Sequence, residues 1–258
     1  MHVTAHTSGS PAAGATTLKI PYDGGTMRVA LFGGTFDPPH CGHIALARLA
    51  RKRLSLDRIL VSPVAAQPLK LHTQHASYDD RVAMVRLAFA RLSGAEVSLI
   101  DAPRPDGSSN FTIDTLAELR RKLDTSDHLF CILGADSLIG IRSWRQPVDL
   151  LLACDFIVGA RPGSGPRLDL TQAVAALPEG ISAKPLPTDL PHTGLLELTG
   201  PGGRTSHLYL LTDLAENVSA TEIRAHIQAA LNGDAQPHSV LAPAVAKYIR
   251  THQLYQRL

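Results

Sequence analysis

The sequence predicts an α/β fold in which a mostly parallel sheet is covered by helices on both faces. Short apolar runs alternate with longer helix-like stretches along most of the chain, the pattern of βαβ units. At 258 residues and 44% apolar content the chain can bury a full core. An early strand passes into a helix through consecutive glycines, Gly33 and Gly34, a junction suited to a bound ligand.

In chain order the pattern predicts a strand at Arg28–Phe32, a helix at His43–Leu54 and a strand at Arg58–Ser62. A helix at Tyr78–Leu92, a strand at Glu96–Asp101 and a helix at Thr112–Leu123 follow. Next come a strand at Leu129–Leu133, a helix at Pro147–Cys154 and a strand at Phe156–Ala160. Arg161 to His207 is dense in Pro and Gly and offers one helix, Thr171–Leu177. A last strand, His207–Leu211, precedes helices at Ala220–Leu231 and Ala242–His252. Ser77 with Asp80, and Ser219 with Glu222, have capping-box spacing and mark two helix starts. Residues 1–26 are rich in Gly, Ala, Ser, Thr and Pro without apolar periodicity and read as a flexible extension before a single domain, 27–258.

Composition narrows the function. A net charge of +2, with no basic cluster interleaved with aromatics, points away from nucleic acid. Cys41, Cys131 and Cys154 form no CxxC pair, so neither a disulfide framework nor a structural zinc site is expected, and a reducing cytoplasm fits. The longest apolar stretch, Val148 to Ala160, contains two aspartates and is too short to span a bilayer.

The most informative segment is Leu31-Phe32-Gly33-Gly34-Thr35-Phe36-Asp37-Pro38-Pro39-His40-Cys41-Gly42-His43. Glycines let the backbone turn and approach a ligand without a Cβ, and a helix start brings unpaired amides and a positive dipole end to the same place. His40 and His43 add ring donors beside the anion that such a site favours. Two histidines at a helix start are more often merely satisfied polar groups; the flanking glycines, Asp37 and the upstream strand tip the reading towards phosphate binding. A zinc site at His40, Cys41 and His43 would need further ligands that the sequence does not offer.

This segment resembles the HxGH signature of the nucleotidylyltransferase superfamily, and its longer form GGTFDPxHxGH is similar to that of nicotinate mononucleotide adenylyltransferases. Leu133-Gly134-Ala135-Asp136-Ser137, Ser143-Trp144, Ala160-Arg161-Pro162-Gly163 and Asn217-Val218-Ser219-Ala220-Thr221-Glu222-Ile223-Arg224 follow in that family's order. The resemblance covers Arg28 to the C-terminus and implies a Rossmann-like, doubly wound enzyme. It would transfer AMP from ATP to nicotinate mononucleotide, with Mg2+ held mainly by the ATP phosphates and no protein side chain ligating metal.

The resemblance further implies that His40, His43 and Arg224 act on the triphosphate. Gly33, Gly34, Thr35, Phe36, Gly134, Asp136, Arg161, Ser219 and Thr221 complete the ATP site, with Asp136 near the ribose. Lys70 would meet the mononucleotide phosphate, Trp144 would stack on the pyridine ring, and Phe111 with Thr112 would line the nicotinate pocket. Leu69 stands where many relatives carry His, and Ala215 and Glu216 where an aromatic is common. The helix at Thr112, with Ser109 and Asn110 as caps and Asp114 turned to solvent, would offer amides to the nicotinate carboxylate. Other acceptors in the superfamily (nicotinamide mononucleotide, phosphopantetheine) and a non-catalytic nucleotide-binding domain remain alternatives, since fold does not fix function.

Overall fold

A computed structural model of the chain describes residues 26–65, 75–160, 168–214, 220–231 and 240–255. The elements in order are β1 (Arg28–Gly34), α1 (Cys41–Leu54), β2 (Arg58–Pro63), α2 (Tyr78–Phe89), β3 (Ala95–Val97), α3 (Thr112–Lys122), β4 (His128–Gly134), α4 (Ala135–Ile139), α5 (Pro147–Leu151) and β5 (Asp155–Gly159). They continue as α6 (Leu170–Ala175), β6 (Ser182–Leu186), β7 (Thr193–Thr199), β8 (Thr205–Leu211), α7 (Ala220–Leu231) and α8 (Pro243–Thr251).

The described strands form one eight-stranded sheet in the order β3-β2-β1-β4-β5-β8-β7-β6. From β3 to β8 every pairing is parallel. The chain builds outwards from β1 to β2 and β3, then returns to the other side of β1 to lay down β4. Strand order therefore reverses between β1 and β4, and in an open α/β sheet the crevice at the carboxyl ends beside such a reversal is where ligands bind.

Side-chain alternation along the strands creates two cores. Ala30, Phe32, Phe130, Ile132 and Ile157 face one way and pack with α1, α2, α7 and α8. Leu31, Leu129, Cys131, Leu133, Phe156 and Val158 face the other way and pack with α3, α4, α5 and α6. Both faces are thus covered, as a parallel sheet requires.

Two strands departed from expectation. β6 and β7 lie in the Pro/Gly-dense stretch and pair antiparallel with each other and with β8. Pro185 breaks the sequence signal for β6, yet it is tolerated because β6 is an edge strand with a largely exposed face. At the other edge, the strand expected over Glu96–Asp101 shrinks to β3, and Asp101 sits in the turn that follows. The helices expected to Leu92 and Cys154 stop at Phe89 and Leu151. Residues 1–25 of the expected N-terminal extension lie outside the described residues.

β5 and β8 are tied at their entrances by one pair. The His207 amide donates to Asp155 Oδ1 at 2.8 Å, and its ring Nδ1 stands 3.3 Å from the same oxygen. That hydrogen bond to Asp155 raises the imidazole above its ordinary value against the opposing effect of burial. A raised folded-state value means the pair stabilises fully below about pH 6.5 and loses that contribution as pH climbs through the folded value. The stability advantage of the native protein over His207→Asn is accordingly expected to be larger at about pH 6 than at about pH 9 in thermal melts. A pH-independent difference would exclude the linkage.

Candidate active site

The reversal of strand order opens onto a cleft of about 490 Å3, lined by the end of β1 and its following loop, the start of α1, the end of β4 and residues of α7. Gly33 and Gly134 stand at the carboxyl ends of β1 and β4, and a Cβ added to either would meet nothing within 4 Å. Both glycines border open space on the cleft, so a side chain there would occupy room a ligand can use. Gly34 has a different reason to be glycine: a Cβ would come within 3.1 Å of the Phe36 ring.

Phe36 is buried and holds a left-handed backbone at φ 50°, a costly conformation for a bulky residue. Its ring packs edge-on against Phe32, Phe89 and His43, at centroid distances of 5.5, 6.2 and 5.0 Å. Phe36 thus lines the cleft while bracing the His43 ring from behind.

α1 begins at Cys41, two residues earlier than the pattern indicated, with His40 at its N-cap. The Cys41 amide donates to the Val240 carbonyl at 2.8 Å, so the first amide of the helix is already engaged within the protein. The anion-binding character of this end rests on the dipole and on the two imidazoles. Their centroids are 3.7 Å apart with a 34° tilt, His40 buried and His43 half-buried. The His40 amide donates to His43 Nδ1 at 3.2 Å, which leaves the proton of the neutral His43 ring on Nε2.

Arg224 of α7 reaches the same cleft. Its guanidinium donates to the Asp37 carbonyl at 2.8 Å and to Thr221 Oγ1 at 3.3 Å. Thr35, Asp136, Ser137, Trp144, Thr112 and Thr221 also line the space. Trp144 is half-buried against the α3–α6 core. Cys131 forms part of the wall, but burial pushes its thiol up to about 12, so it serves as an apolar surface and not as a nucleophile.

The structure thus brings together Gly33, Gly34, Thr35, Phe36, His40, His43, Thr112, Gly134, Asp136, Trp144, Thr221 and Arg224. It does not bring Phe111 to the cleft wall: the ring lies under the Arg145 guanidinium, 4.6 Å from it. Phe111 is also the N-cap of α3, in place of the expected Ser109 or Asn110, and Asn110 turns its side-chain amide to the Ala102 carbonyl instead. Asp114 is half-buried and outside the cleft lining. Lys70, Arg161 and Ser219 lie outside the described residues. Among the described residues no group of three His, Cys, Asp or Glu is placed to hold a metal ion. None of their helices is long and apolar enough to cross a membrane.

Sequence reasoning overlooked the supports of the site. Arg81 of α2 is fully buried and donates to the carbonyls of Thr35 and Val64 at 2.8 Å each and to that of Ala65 at 3.2 Å. Burial lowers its guanidinium below the ordinary range, while the nearby Asp37 works in the opposite direction. A signal existed: Arg81 occupies the apolar stripe of α2 with Met84, Val85 and Ala88, where an unpartnered charge could not stay. Asp101, also buried in the cleft wall, accepts from the Thr115 hydroxyl at 2.5 Å; burial raises its carboxyl and this hydrogen bond counters it.

The sequence profile of the cytidylyltransferase-like family matches residues 31–226. A protein of Gloeobacter violaceus named "Probable nicotinate-nucleotide adenylyltransferase" is 37% identical over 88% of this chain and 96% of its own length. One of the same name from Pseudomonas entomophila is 36% identical over 89% of this chain and 95% of its own. Among solved structures, Plasmodium falciparum nicotinic acid mononucleotide adenylyltransferase complexed with NaAD is similar at a TM-score of 0.63 and 17% identity, over 89% of this chain and 97% of that one. At that identity the likeness is one of fold.

Proposed function

The chain belongs to the cytidylyltransferase-like nucleotidyltransferases and, among them, to the nicotinate-nucleotide adenylyltransferases, and we propose that the cleft between β1 and β4 is where it joins its two substrates. The enzyme transfers AMP from ATP to nicotinate mononucleotide in NAD biosynthesis, giving nicotinate adenine dinucleotide and pyrophosphate. An oxygen of the acceptor phosphate attacks the α-phosphorus, the bond from that phosphorus to the bridging oxygen of the β-phosphate breaks, and pyrophosphate leaves. No side-chain nucleophile takes part, so catalysis rests on positioning and on neutralising charge.

The observation that carries the site assignment is the convergence of His40, His43 and Arg224 on the open ends of β1 and β4. With Nδ1 taken up by the His40 amide, the His43 ring presents its Nε2 proton, and a polyphosphate in the cleft meets that donor together with the Arg224 guanidinium. His43 Nε2–H and Arg224 donate to the triphosphate and to the oxygens that gain charge in the transition state, while Gly33, Gly34 and Gly134 leave room for the nucleotide. Asp136, at the start of α4, accepts from the ribose. Ser219 would add to the phosphate contacts of ATP, Arg161 would meet its adenine or its phosphates, and Lys70 the phosphate of the mononucleotide. Mg2+ enters with ATP as part of the substrate: the Asp37 carboxyl is already occupied by three donors and is not a metal ligand. Residues 27–258 act as one catalytic domain in the cytoplasm.

Trp144 and Thr112 form the pyridine end. Phe111, as N-cap, has no side-chain oxygen for the first-turn amides of α3, so the substrate carboxylate takes the place of a capping acceptor. Charge-assisted bonds of this kind should favour the acid over the amide by about 10- to 100-fold in kcat/KM. Pyrophosphate release measured with ATP and either nicotinate or nicotinamide mononucleotide tests both points. No release with the acid removes the activity; equal rates remove the acid-selective pocket alone.

A further inference from the structure

Asp37 and Arg224 line the cleft, and behind them stands a cluster of hydrogen bonds centred on Asp37. The Asp37 carboxyl accepts the His75 amide at 2.7 Å, the Ala76 amide at 3.2 Å and the Tyr255 hydroxyl at 2.7 Å. Its main-chain carbonyl accepts Arg224. One residue therefore joins the loop after β1, the approach to α2, the turn after α8 and the guanidinium of α7. Tyr255 reaches it from 218 residues away and is only 4% exposed, with its ring in the core shared by α1, α2, α7 and α8. Burial, with Asp37 beside it, raises this phenol far above its ordinary value, so it stays a hydrogen-bond donor at any physiological pH.

We propose that Tyr255 is a positioning residue for ATP: through Asp37 it fixes the carbonyl that aims Arg224 into the cleft. The guanidinium is held at one terminal nitrogen by the Asp37 carbonyl and at the other by Thr221 Oγ1, so the plane of its fork is fixed at both ends. Without the hydroxyl, Asp37 Oδ1 keeps, among the described residues, only the longer Ala76 bond, the loop between Thr35 and His40 loosens, and the arginine loses its fixed aim. The tail of the chain is thereby part of the phosphate site without touching the phosphates. This inference rests on the reading that Arg224 meets the triphosphate.

The test is a double-mutant cycle on the dissociation constant of Mg-ATP, measured by calorimetry on the full chain, with Tyr255→Phe, Arg224→Lys and both together. Tyr255→Phe keeps the buried ring and is expected to weaken ATP by about three- to tenfold while changing nicotinate mononucleotide affinity by less than about twofold. In the Arg224→Lys background the same change should cost less than about twofold, because the residue it acts through is gone. Asp37→Asn, which keeps the main-chain carbonyl, should show the same dependence on Arg224 and stands in if Tyr255→Phe does not fold. An unaltered ATP affinity in Tyr255→Phe, or an equal loss in both backgrounds, overturns the proposal and leaves the site assignment intact. Unaltered affinity in Arg224→Lys alone overturns both.

Discussion

Replacing His43 with alanine is expected to lower kcat by about 10²–10³-fold while the protein stays folded, because one donor aimed at charge that develops in the transition state is worth about that much. The ring is half-buried and rests on the edge of Phe36, so its loss removes a small part of the packing. Its Nδ1 accepts the His40 amide, and an alanine leaves that amide to water entering the vacated space. A modest fall in melting temperature is therefore expected alongside the large fall in rate. His43→Asn, which retains a polar group of similar reach, should recover part of the rate. Steady-state kinetics with circular dichroism on the same preparations decide the matter: a folded His43→Ala protein with near-native kcat removes His43 from the chemistry.

The largest effect on stability is expected at Arg81. Substitution by methionine preserves most of the apolar stem but leaves three part-buried carbonyls and Asp37 without their cationic partner. Removing one side of a buried charged network costs about 3–5 kcal/mol, which for a chain of this size is a drop of about 10 °C or more in melting temperature. Arg81→Lys should fall in between, since a compact ammonium cannot reproduce a planar fork that reaches carbonyls on two different segments. Because Thr35 and Val64 follow β1 and β2, the variant's loosened loops should also raise the KM for ATP. Thermal unfolding of the three proteins measures the first effect, and a methionine variant as stable as the parent would show that the fork is dispensable.

The contrast between these two residues marks what could be read from the chain. His40, Gly42 and His43 lie within four positions, and a strand before them with a helix after them is enough to put both rings at one end of one helix. The alternation of strands and helices likewise implied a sheet covered on both faces, and the glycines pointed to open space at Gly33 and Gly134. These are local properties: period, propensity and spacing act over a few residues, and the sequence displays them directly.

The rest depended on which distant segments meet. Gly34 is glycine because the Phe36 ring folds back over it, and Phe111 faces Arg145 and not the cleft because of how α3 is set against the turn before α5. β6 and β7 were hidden because an edge strand needs only a partner, and its Pro and Lys advertise the edge more than the strand. Arg81, Asp37 and Tyr255 became a network only when residues tens to hundreds of positions apart were buried together. Sequence alone determined the family of fold and the two histidines at its centre. Tertiary structure alone decided what holds them in place, because a buried polar group is specified by the partner it meets and that partner leaves no periodic trace in the chain.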